Sequence, residues 1–174
     1  MKNKKIERLE TRVKFKNKFA TLYNDKVKFP DNSEGSYIRF CWNAPYGVHV
    51  FAKDKNDNVL LIKNYRYEND SWHWEIPKGF GMSGLSSIQM AKKELLEETG
   101  YTGIKWKLLR SFFDRGIDNF IFECQLDKYI GENRENSECI SEVKVFSPVE
   151  YQKMIFDQSL VNDPVTLFLL SLSL

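Results

Sequence analysis

Between Thr11 and Phe29 the apolar residues Val13, Phe15, Phe19, Leu22, Val27 and Phe29 alternate with charged or polar neighbours in several period-two pairs. That spacing predicts short, half-exposed strands. A dense turn signal follows over Pro30 to Ser36, then a strand-like run from Tyr37 to Trp42 and a second break at Asn43 to Gly47, so the first quarter of the chain predicts a small antiparallel sheet. Beyond it, Val48 to Ala52 and Val59 to Ile62 are apolar strands joined by the turn-rich Lys53 to Asn58. Trp72 to Ile76, Ile104 to Phe113, Asn119 to Leu126 and Val143 to Phe146 supply further strands, and Gly131 to Cys139 is a polar, acidic loop. The clearest helix is Ser86 to Thr99, with Ser86 or Ser87 as N-cap and Gly100 as terminator. Pro148 and Pro164 stand at first helical positions, and the apolar stretch from Val165 to Leu174 predicts a buried terminal helix.

Composition narrows the class without naming it. With 174 residues, 42% hydrophobic and 29% charged, the chain can bury a substantial core. Twenty-six basic against 24 acidic residues leave a net charge of +2, so no pull toward nucleic acid or a membrane surface is expected. Cys41, Cys124 and Cys139 are odd in number and lack CxxC spacing, which predicts a reducing compartment, the cytoplasm, rather than a disulfide framework or zinc site. No secretory leader and no membrane span is expected.

Chemistry concentrates on the helix Ser86 to Thr99. Glu94, Glu97 and Glu98 are spaced i, i+3, i+4, so three carboxylates fall on one face. Ile88, Ala91 and Leu95 occupy the adjoining arc, which can pack on a sheet and leave the acidic arc at its rim. An acidic face alone is usually a solvated surface, here partly balanced by Lys93 and Glu97 at i, i+4. The upstream segment Trp72 to Gly84 changes that picture, because its glycines permit a tight loop with exposed backbone carbonyls. Loop carbonyls with helix carboxylates make an all-oxygen site of the kind hard Mg²⁺ prefers.

Gly79 to Tyr101 resembles the Nudix box: glycine, five residues, glutamate, seven residues, then REUxEExGU, with U a bulky aliphatic. Gly79, Glu94, Leu95, Glu97, Glu98 and Gly100 match in register, whereas Lys93 replaces the arginine, Tyr101 takes the last aliphatic position and Leu85 replaces the first glutamate. The similarity extends to the ADP-ribose pyrophosphatase branch through the PDxxEGxY-like turn at Pro30 to Tyr37, Asn64-Tyr65-Arg66, Trp74 to Gly79, and Asp163 with Thr166 before the last helix. That branch carries a proline beside a glycine after the box, but here the segment reads Phe113-Asp114-Arg115-Gly116-Ile117.

The resemblance implies an α+β Nudix fold, a mixed sheet between helices over residues 46–174, preceded by an antiparallel strand region, 1–45, that serves dimerisation. It implies hydrolysis of the diphosphate bond of a nucleoside diphosphate sugar, foremost ADP-ribose, by a Mg²⁺-dependent enzyme for which Mn²⁺ is the alternative ion. Other nucleotides, or a non-catalytic nucleotide-binding role, are the competing readings. Carried over residue by residue, the metal ligands are Glu94, Glu98, Glu138 and the main-chain carbonyl of Lys78. Glu97 is a ligand or its orienter, Glu135 the general base (the family position itself falls on Asn136), and Arg66, Glu75 and Gly79 belong to the substrate side. Trp72, Trp74 and Phe80 are either core or a stacking surface for a base. In the family the first box glutamate pairs with the box arginine, so Leu85 and Lys93 together mean that this brace has been replaced.

Overall fold

The computed structural model describes residues 5–131, 138–157 and 160–173. Its first part is a four-stranded antiparallel sheet: β1 (Glu7–Glu10), β2 (Val13–Lys16), β3 (Ala20–Lys28) and β4 (Glu34–Trp42). β3 is central, with β4 along one edge and β1 and β2 following one another along the other. β1 carries no period-two signal, since its four residues read Glu-Arg-Leu-Glu and all are exposed. Backbone pairing with β3 makes it a strand, and such pairing leaves no trace in the apolar pattern. β4 begins at Glu34, inside the expected turn, because the turn closes early through the Phe29 N–H donating to the Ser33 carbonyl at 2.8 Å.

The second sheet has seven strands: β5 (Tyr46–Lys53), β6 (Val59–Arg66), β7 (Ser71–Glu75), β8 (Lys78–Phe80), β9 (Tyr101–Asp114), β10 (Ile117–Tyr129) and β11 (Ile140–Phe146). It is mixed, since β5 and β10 run parallel while the other pairs are antiparallel. β5 and β6 share only the Lys53–Val59 pair and then diverge; β7 pairs into the gap along β6 and β8 along β5. The expected loop before the acidic helix is therefore partly a strand, because β8 satisfies its backbone against β5.

Helix α1 (Ser87–Thr99) covers one face, with Met90, Ala91 and Leu95 packed on Val48, Val50, Ala52, Leu60 and Phe122. Helices α2 (Pro148–Ile155) and α3 (Pro164–Ser171) cover the other, where Tyr151, Met154, Leu169 and Leu170 meet Phe51, Leu61, Trp74 and Ile76. Neighbours along β5, Val50 and Phe51, thus serve opposite cores, the period of a strand buried on both faces. This is the α+β architecture implied by the sequence. The terminal helix is only half buried, with Phe168 and Leu172 outside and Thr166, Leu169 and Leu170 inside. The two sheets are joined by the Trp42 N–H donating to the Arg115 carbonyl at 2.8 Å, and by Cys41, which lies against Gly116 at φ +87°.

Candidate metal centre and active site

Three features fix α1: Ser86 and Gln89 form a capping box, Gly100 ends the helix at φ +75°, and the apolar arc is clamped on the sheet. Glu94 and Glu98, one turn apart, are carried inward against β8 and are 8% and 5% exposed. The Lys78 N–H donates to Glu98 Oε2 at 3.0 Å. A Cβ on Gly79 would stand 2.0 Å from Glu94 Oε1, so a side chain at position 79 would displace the carboxylate that fills that space.

Glu138, just ahead of β11, supplies a third carboxylate. One oxygen from each of Glu94, Glu98 and Glu138 lies within 4.8 Å of the others. Burial pushes the Glu98 carboxyl well above its usual range, and the adjacent charges of Glu94 and Glu138 push it further. Three carboxylates held this close and dry repel one another, and a divalent cation relieves that repulsion; an all-oxygen donor set fits Mg²⁺ or Mn²⁺. Glu97 lies outside the cluster, paired instead with Lys93 one turn back. Glu135 and Asn136 lie outside the described residues. The Lys78 N–H meets the cluster at Glu98.

A polar chain runs behind this cluster. Arg66, at the end of β6, donates through Nε (3.2 Å) and Nη2 to the two oxygens of Glu75, which is 1% exposed. Asn64 Nδ2 donates to the same carboxylate at 3.0 Å and Lys78 Nζ approaches it at 3.0 Å. Lys78 Nζ also reaches Asp163 Oδ1 at 2.6 Å. Asp163 caps α3 by accepting from the Thr166 N–H at 2.8 Å and its hydroxyl at 2.7 Å, and Thr166 Oγ1 accepts from the Ile76 N–H at 3.1 Å. Burial alone would raise the Asp163 carboxyl, but Lys78 and Thr166 outweigh it and hold it at about 2. For Arg66, burial works against the charge and the Glu75 carboxylate more than restores it, so the guanidinium is the more firmly protonated. Its side chain remains 32% exposed, leaving an edge toward solvent.

Trp74 is core, packed edge-on to Phe146 with ring centres 4.8 Å apart, whereas Trp72 and Phe80 are each 43% exposed. Phe80 lies against Trp42, centres 5.0 Å apart. Sequence reasoning missed the Lys78–Asp163 link and the contacts of Tyr46 with the loop before α1, since both join residues far apart in the chain and neither leaves a periodic mark.

Residues 44–165 match the family model of the NUDIX domain, and the chain belongs to that family. Among curated proteins it is similar to the CMP-5'-(N-acetyl-N-hydroxy-3-aminopropyl)phosphonate hydrolase of Streptomyces rubellomurinus (strain ATCC 31215), 28% identical over 92 residues, 52% of this chain and 43% of that protein. It is also similar to the ADP-ribose pyrophosphatase of Bacillus subtilis (strain 168), 29% identical over 99 residues, 57% of this chain and 52% of that one. The matched stretch thus spans about half the length of these relatives. A crystal structure described as an ADP compounds hydrolase shares the fold, with a TM-score of 0.80 at 18% identity over 97% of this chain and 91% of the other.

Proposed function

We propose that this protein is a Nudix hydrolase of nucleoside diphosphate sugars, converting ADP-ribose to AMP and ribose 5-phosphate with Mg²⁺, for which Mn²⁺ can substitute. The carboxylate cluster of Glu94, Glu98 and Glu138 carries the reading. The likeness to an ADP-ribose pyrophosphatase supports the substrate. A divalent ion bound there supplies charge neutralisation for the diphosphate and an acidified water. In this reading Glu94, Glu98, Glu138 and the Lys78 carbonyl hold the ion, and Glu97 with Lys93 steadies the outer side of α1. Arg66, held in plane by Glu75, grips a phosphate oxygen through its exposed edge. Glu135 takes the proton of the attacking water. Gly79 leaves room for the Glu94 carboxylate and sets the backbone of β8 on the substrate side of the site.

Residues 1–45 are proposed to pair two subunits into a homodimer. Val13, Phe15, Ile38 and Phe40 of the first sheet are exposed and offer apolar side chains to such a pairing. A cytoplasmic setting fits the three free cysteines. The decisive experiment incubates the protein with ADP-ribose, a dinucleotide, a nucleoside triphosphate and a CMP conjugate, with and without Mg²⁺ or Mn²⁺, and follows AMP, CMP and phosphate. Metal-dependent AMP release from ADP-ribose is expected. Turnover of another nucleotide with none of ADP-ribose overturns the substrate; binding without turnover of any makes the protein a non-catalytic relative.

A further inference from the structure

The cluster depends on how β8 and α1 are held together. Glu98 accepts from the Lys78 amide, and Glu94 fills the side-chain space of Gly79, so a shift of the strand against the helix of even half an ångström would disturb both contacts. The segment joining them offers little stiffness of its own. Met82, Ser83 and Gly84 are exposed, and Gly84, at φ +89°, has no atom within 4 Å of where its side chain would be. Leu85 is apolar and packs toward the α1 core, while Lys93 is engaged by Glu97. No ion pair between positions 85 and 93 ties the loop to the helix.

Tyr46 spans both ends of that loop. Its carbonyl accepts from the Gly81 N–H at 2.7 Å, and its hydroxyl donates to the Leu85 carbonyl at 2.5 Å. Its ring lies where Gly81 lacks a side chain, since a Cβ there would be 2.5 Å from two ring carbons. The ring rests edge-on against Phe120, centres 6.0 Å apart, and Tyr46 opens β5, which is paired on both sides by β10 and β8. The clamp is thereby fastened to the middle of the sheet.

We infer that Tyr46 is the positioning residue of the metal centre, its hydroxyl and ring setting the loop Gly81 to Leu85 and with it the register of β8 against α1. The inference rests on the proposed metal site but concerns a residue outside its carboxylate cluster. Tyr46→Phe deletes one hydroxyl and leaves the ring in place. Titrating Mn²⁺ calorimetrically into the purified protein should show affinity weakened about three- to tenfold, the ratio expected for one lost hydrogen bond. Amides 81–86 should exchange faster by mass spectrometry while the rest of the chain is unchanged, and kcat should fall more than KM for ADP-ribose rises. Gly81→Ala, which displaces the ring from the other side, should weaken Mn²⁺ in the same direction. A Tyr46→Phe protein with the parent's Mn²⁺ affinity and the parent's exchange at 81–86 overturns the inference, as does faster exchange throughout the molecule, which marks Tyr46 as a general packing residue. If the parent itself binds no Mn²⁺, the proposed function fails, and the exchange comparison still decides whether Tyr46 sets the loop.

Discussion

Asp163→Asn isolates the electrostatic link between the last helix and strand β8, which begins at Lys78. The native carboxyl is held at about 2, against an ordinary value of 3.8, and at 1.36 kcal/mol per tenfold the difference amounts to about 2 kcal/mol at neutral pH. The side chain is only 14% exposed, so solvent screening removes little of this. Because the folded carboxyl is the more acidic, the unfolded chain takes up the proton first as pH falls. The stabilisation is therefore complete above about pH 4 and disappears as pH falls through about 2. Asparagine is itself a good N-cap, so the substitution removes mainly the charge facing Lys78. Urea unfolding of both proteins at pH 7 and pH 3 should give a gap of about 2 kcal/mol that narrows to about 1 kcal/mol. A gap of the same size at both pH values would mean that shape or capping, not charge, is what Asp163 contributes.

Glu98→Gln should abolish most turnover, yet melt no lower than the parent in EDTA, because it removes one of three mutually repelling carboxylates; retained turnover would sink the metal site. Leu85→Glu should change turnover less than about fivefold, since Lys93 already serves Glu97 and an exposed pair yields only about 0 to 1 kcal/mol; a large gain would show that the loop limits catalysis. Glu135→Gln should lower kcat by about 10² to 10⁴, while Glu138→Gln should chiefly weaken the Mg²⁺ response, and parental behaviour in both would place base and third ligand elsewhere. Light scattering should give twice the 20.5 kDa chain mass, and Phe15→Lys with Ile38→Lys should halve it; a parent that is monomeric throughout refutes the dimer.

The helix bearing Glu94 and Glu98 was legible in the sequence down to its caps, because capping and amphipathic period are local properties of consecutive residues. The central strands were legible for the same reason, as were the starts of the two later helices at Pro148 and Pro164. The box spacing placed Gly79 and the acidic residues in one motif before any coordinates. The resemblance named Glu94, Glu98 and Glu138 together, but no local pattern brings Glu138 to the helix: tertiary structure turns Glu94 and Glu98 toward β8 to meet it, while Glu97, equally near on the helical wheel, turns to Lys93. Tertiary structure also decided that the glycine loop is in part a strand, that β1 exists, and that Tyr46 rather than a charged pair clamps the loop. Periodicity reports which side of an element is apolar, whereas convergence depends on how elements many residues apart are packed, and that information is spread over contacts no local window contains.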